Sequence, residues 1–206
     1  MIQTQVKKVA GINYYTSSHP LIKNSYRVHG KPVEFGSKVW ATSLILLDYL
    51  NTQKNLQNQR VLEIGCGWGL VSIFLAKTYN CKVTASDIDK KVLPLVNIQA
   101  QANNVEVKTS QLAFCELCTQ DLSQFDLLIG SEVCYSSETA QDLVTLVEKS
   151  LLSGVKMILL ADPGRPDFKE AASLLLQKYK GNLTPLKGSI NGKVTYVLSL
   201  YENVIT

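Results

Sequence analysis

Nowhere does the chain run to about 18 consecutive uncharged apolar residues, so it offers no candidate membrane helix. The opening "MIQTQVKKVAG" has no apolar run followed by a small-residue cleavage site; no secretory signal is expected, and the expected address is cytoplasmic. Histidine is scarce, with only His19 and His29. The single Cys-x-x-Cys, Cys115 and Cys118, has neither a second pair nor a neighbouring histidine, so no metal site is expected. Five cysteines are an odd number in a chain without a signal, which points to reduced thiols rather than a disulfide framework. Charged residues make up only 18% and the net charge is +4, with the lysines scattered, so neither nucleic acid nor a membrane is expected as a partner. Repeats are lacking too, and the only low-complexity stretch is the polar "NTQKNLQNQR", Asn51 to Arg60.

What is present is a chain of 206 residues, 46% hydrophobic, long enough to bury a sound core. Residues 1–206 are expected to form one domain. Residues 1–59 are a leader with a largely buried helix at about 37–50, carried by "SKVWATSLILLDYL". From 60 onwards strand and helix patterns alternate: "RVLEIGC", "GLVSIFLAKTY", "KVTASDI", "KVLPLVNIQAQA", "VEVKTSQL", "FDLLIGSEV", "SETAQDLVTLVEKSLL", "VKMILLAD" and "DFKEAASLLLQKY". Short apolar strands without regular alternation, interleaved with helices, predict a mostly parallel sheet covered on both faces, the doubly wound α/β class. "LTPLKGSI" and "KVTYVLSLYE" flank Asn191-Gly192, which suits a type I′ turn, so a late antiparallel strand is expected.

"VLEIGCGWG" places Gly65, Gly67 and Gly69 between a strand and a helix, where absent side chains let backbone N–H groups approach a ligand. Asp87 ends the next strand about 20 residues beyond Gly67, where a carboxylate can hydrogen-bond ribose hydroxyls. Together they indicate a nucleoside ligand. A dinucleotide fingerprint reads G-x-G-x-x-G, whereas this loop is acidic-x-G-x-G-x-G with Glu63 leading. It resembles the first motif of seven-strand methyltransferases, and the late hairpin resembles the reversed last strand of that fold. The resemblance implies S-adenosylmethionine as cofactor and S-adenosylhomocysteine as product. It implies contacts from Gly65, Gly67 and Asp87, with Glu63, Trp68, Ile88, Phe114 and Trp40 as pocket neighbours.

Three further stretches resemble the family 16 branch, which contains many protein-lysine methyltransferases. In "KVWATSLILLDYL", Trp40 would wall the cofactor pocket or fill the core. Leu112-Ala113-Phe114 falls where the branch often has Leu-Asp-Trp; Phe114 can stack on a base, but Ala113 lacks the carboxylate. "GSEVCYSSE" holds Glu132 and Tyr135 in the branch's acidic-x-x-aromatic pattern, implying a carboxylate that orients an ammonium and a ring that walls its channel. "LADPGRP" resembles a motif of the methyltransferases that modify lysines of the electron-transfer flavoprotein β-subunit. There Asp162 and Arg165 either contact a protein substrate or pair with each other to brace the turn. The function implied is methylation of a lysine on a protein substrate. A small-molecule N- or O-methyltransferase and a cofactor-binding module without chemistry are the alternatives. The Asn-Pro-Pro-Tyr motif that grips a flipped base is absent, with "SEVCY" in its place.

Overall fold

The computed structural model describes residues 5–187 and 194–202. The leader, whose first thirty-odd residues carry no readable period, opens with an antiparallel hairpin of β1 (Val6–Val9) and β2 (Ile12–Tyr15). Helix α1 (Pro20–His29) follows, with proline in its first turn, where a missing N–H leaves nothing unpaired. After a 3₁₀ turn (Glu34–Ser37), α2 (Ala41–Leu50) starts at Ala41 rather than near Ser37, because Trp40 is still extended, with φ −90° and ψ 147°.

The expected alternation then unfolds as β3 (Arg60–Ile64), α3 (Leu70–Tyr79), β4 (Lys82–Asp87), α4 (Leu93–Ala102), β5 (Lys108–Gln111) and a short α5 (Phe114–Leu117) that no periodicity announced. It continues with β6 (Leu127–Ser131), α6 (Ser137–Leu152), β7 (Met157–Asp162), α7 (Pro166–Lys178), β8 (Gly181–Lys187) and β9 (Val194–Tyr201). These strands make a seven-stranded sheet in the order β5-β4-β3-β6-β7-β9-β8, parallel except for β9, which runs antiparallel between β7 and β8. The reversed last strand is therefore present. The Asn191-Gly192 turn expected to precede it lies outside the described residues.

Successive strand residues point to opposite faces, so the central strands feed two cores. Val61, Ile129 and Leu159 pack with Leu46, Leu47 and Phe74 of α2 and α3. Leu62, Leu128 and Ile158 pack with Leu146, Phe168 and Leu175 of α6 and α7. Burial on both faces explains why these strands read as apolar runs rather than as alternating patterns.

The leader is fastened by two buried amides, Gln99 on α4 and Asn103 at its C-terminal cap. Gln99 accepts from the Tyr15 N–H (2.8 Å) and donates to its carbonyl (2.9 Å). Asn103 does the same for Asn13, at 2.9 and 2.7 Å. The side chains thus supply β2 with the partners a neighbouring strand would give. Gln99→Leu, which leaves both Tyr15 groups unpaired, is expected to lower unfolding free energy by about 1–3 kcal/mol and to speed amide exchange in β2. Urea unfolding with hydrogen exchange checks this; unchanged exchange at Asn13 and Tyr15 would show that the hairpin stands without α4.

Candidate functional site

The turn from β3 into α3 runs through Gly65, Gly67 and Gly69, all left-handed at φ 56°, 50° and 70°. A Cβ on Gly65 would stand 2.6 Å from Val133, and one on Gly69 2.7 Å from Val96, so packing forbids side chains there. At Gly67 nothing lies within 4 Å: this glycine opens onto space. Its N–H donates to one oxygen of Asp87 (2.9 Å), whose other oxygen accepts the Asp89 N–H (2.9 Å). Burial raises the Asp87 pKa, and these N–H bonds oppose that rise.

Beside the loop is a cavity of about 430 Å³ at the carboxyl ends of the strands. Of the residues singled out from the sequence, Gly65, Gly67, Asp87, Ile88, Phe114, Trp40, Glu132 and Tyr135 all line it. Trp68 does not. It is buried with Ile22 and Leu95, and its indole N–H donates to the Gly36 carbonyl (3.0 Å), tying the leader to the glycine loop. Glu63 also stays out, under the loop, beside a recess of about 40 Å³. Its carboxylate accepts the Ser72 N–H (2.9 Å) and the Ser72 hydroxyl, and burial pushes it up to about 7.

Periodicity missed the leader's share of the wall. Val33 and Phe35 line the cavity, and the Val33 N–H donates to Asp89 (3.1 Å). Phe35 lies 4.7 Å from the Tyr135 ring and 6.0 Å from the Trp40 ring, forming an aromatic collar. The signal available was Gly36 next to that phenylalanine: a Cβ there would sit 2.7 Å from Val92, so the chain must cross α4 closely. The lining is acidic, with Asp87, Asp89, Glu132, Glu138 and Asp142, and holds no lysine or arginine among the described residues.

At the end of β6, Glu132 adopts φ 57°, a left-handed conformation that costs a non-glycine residue about 1 kcal/mol or more. Its N–H is held by the Ala161 carbonyl (2.8 Å), one carboxylate oxygen accepts the Thr42 N–H (3.3 Å), and the other pairs with Arg165 (2.9 Å). Arg165 also pairs with Asp162 (3.0 Å). Asp162 is fully buried and accepts the Gly164 and Arg165 N–H groups at 2.8 Å, so it has no surface to offer a protein substrate. The bracing role is the one the geometry supports for this pair, and Arg165 likewise lies outside the cavity lining. Gly164, at φ 92°, makes the bend under Tyr196, where a Cβ would fall 2.6 Å from the ring.

This site suits S-adenosylmethionine. Asp87 is already oriented at a strand end, where its remaining lone pairs can take ribose hydroxyls. Ile88, 66% exposed, and Phe114 offer apolar faces to a base. Charged residues of one sign in the lining, all of them acids, favour a sulfonium cation and oppose the pyrophosphate of a dinucleotide.

Comparison with known proteins bears on the same residues. A family model described as lysine methyltransferase matches residues 27–175. The chain is 32% identical over 120 residues to the histone-arginine methyltransferase METTL23 of Xenopus laevis, covering 55% of this chain and 51% of the relative. It is 27% identical over 128 residues to the electron transfer flavoprotein beta subunit lysine methyltransferase of the same species, covering 62% and 50%. The matched part thus spans about half the length of these curated relatives. Among solved structures, a methyltransferase from Pyrococcus furiosus shares the fold with a TM-score of 0.62 at 18% identity, over 88% of this chain and 94% of that one.

Two outcomes are expected. Asp87→Ala should weaken S-adenosylhomocysteine binding about 10- to 100-fold by calorimetry, the range for hydrogen bonds to a charged group. Folded Glu63 keeps its proton up to about 7 while the unfolded group releases it near 4.5, so its contribution is full below about 4.5 and is lost as pH rises through 7. Glu63→Gln should therefore gain stability relative to the parent between about pH 5 and pH 8 in urea unfolding; a pH-independent difference would refute the raised value.

Proposed function

Since the chain belongs to the lysine methyltransferase family, whose members draw the methyl group from S-adenosylmethionine, we propose that it methylates a lysine amine on a protein, acting as one domain. The observation that carries this reading is the placement of Glu132 and Tyr135 in the same cavity wall as the Gly67–Asp87 cofactor loop. Both relatives are named for protein side chains, an arginine and a lysine, which supports a protein nitrogen as acceptor. So does the rim: Val33, Phe35, Ile88 and Tyr135 are 60%, 46%, 66% and 48% exposed, a wide apolar mouth rather than a closed chamber for a metabolite.

When bound, the cofactor supplies an electrophilic methyl carbon on a sulfonium and takes back the electron pair of the broken carbon–sulfur bond. The chain's part is placement. Glu132, fixed on both carboxylate oxygens, presents a hydrogen-bond acceptor to the incoming amine. Tyr135, braced by Phe35, flanks the approach with a ring face that attracts a cationic side chain. Phe35 and Trp40 limit water at the reacting atoms, and the ammonium gives up one proton to solvent before transfer, freeing the lone pair that forms the carbon–nitrogen bond.

The test is incubation of the purified chain with labelled S-adenosylmethionine and whole-cell extract, followed by a gel and amino-acid analysis of the labelled band. A discrete protein band containing methyl-lysine is expected, reduced about 100-fold or more in Glu132→Ala. Label confined to small molecules would replace this reading with a metabolite methyltransferase. Intact S-adenosylhomocysteine binding without any transfer would replace it with a binding module.

A further inference from the structure

Arg165 stands at the N-cap of α7, outside the cavity lining, yet it reaches the acid that faces the cavity. One guanidinium nitrogen lies 2.9 Å from Glu132. The other lies 3.0 Å from Asp162 and also donates to the Cys134 carbonyl at 3.4 Å. Glu132 is thus held from behind by a fixed cation while its backbone keeps the strained conformation that turns it toward the cavity. We propose that Arg165 is a positioning residue for methyl transfer: it fixes and partly neutralises Glu132, so that this carboxylate orients a lysine amine without trapping it as a tightly paired ammonium. The inference rests on the protein-lysine reading above.

The effect of Arg165 on Glu132 is electrostatic. A carboxylate near an amine in a water-poor site favours the protonated form, and only the neutral amine has a lone pair to form the new carbon–nitrogen bond as the carbon–sulfur bond breaks. Among the described residues, the other charged groups lining the same cavity are all acids. Asp162 stands behind it, Asp87 and Asp89 come from the end of β4, and Glu138 and Asp142 come from α6. Its own loop adds the Cys134 thiol, held neutral by burial, and the Tyr135 ring, and α2 contributes the Thr42 N–H. Lys38, on the leader, sits over the Trp40 ring at 4.0 Å. Arg165 is the cation bonded to Glu132, and its removal would leave the substrate ammonium to replace it.

The experiment follows label transfer from S-adenosylmethionine to whole-cell extract from about pH 6.5 to 10, for the parent chain, Arg165→Met and Arg165→Lys. S-adenosylhomocysteine affinity and urea unfolding are measured on each. Arg165→Met should retain affinity within about threefold, lose about tenfold in rate near neutrality, and recover at high pH, its profile displaced upward by about one unit. Arg165→Lys, which keeps the charge but not the fork, should return the profile toward that of the parent. A loss equal at every pH, or one that tracks cofactor affinity and unfolding, would overturn the proposal and leave Arg165 as a brace. If the parent chain transfers no label to lysine, the functional reading itself fails and this inference falls with it, a result seen in the parent arm rather than in the variants.

Discussion

In-register parallel pairing of β3, β4, β6 and β7 is the constraint on which the rest of the structure depends. Ile64 pairs with Ser86 and with Gly130, and Ser131 pairs with Ala161. The next residues along the chain are Gly65, Asp87, Ser131 and, beyond the last pair, Glu132 and Asp162. The glycine turn, Asp87, Glu132 and Asp162 therefore leave the sheet at one height. A slip of one residue would turn Val61 and Leu62, Leu128 and Ile129, or Ile158 and Leu159 onto the wrong faces of a sheet buried on both sides. Core packing and site geometry are set by the same register.

Short polar links then convert this row of strand ends into a cavity. Asp87 ties the glycine turn to β4, and Asp89 ties the leader to the same strand end. Arg165 joins β6 to β7 through Glu132 and Asp162. The strain at Glu132 persists because its amide, both carboxylate oxygens and the neighbouring Cys134 carbonyl are all engaged. The leader adds the outer wall, reaching across α4 at Gly36 to set Phe35 against Tyr135.

Much of this was legible in advance where the signal is local. Helix α6 spans the stretch its 3.6-residue period marks, and the glycine turn with Asp87 is where motif spacing puts it. The acidic-x-x-aromatic pair lines the cavity. Trp68 and Glu63 were harder, because neighbours in a motif need not share a direction: Trp68 turns back onto Gly36, and Glu63 turns under the loop onto Ser72. Asp162 and Arg165 had two readings in the sequence, and the burial of Asp162 and its pairing with Arg165 support the brace. The hairpin of β1 and β2 is local, but its strands of four residues are too short for a period to stand out, and the amides that hold the free edge of β2 come from Gln99 and Asn103, far along the chain.

The sequence by itself determined the alternation of strands and helices, the double-sided burial that makes the sheet parallel, and the glycine and aspartate that define a nucleoside loop. These follow from local backbone preference and from where apolar residues recur, both of which are written along the chain. Tertiary structure alone decided that Arg165 pairs with Glu132, that Phe35 closes the collar, and that the charged groups of the cavity wall are all acids. Each of these depends on side chains far apart in sequence meeting at one rim, and only the folded register brings them within hydrogen-bonding or van der Waals reach.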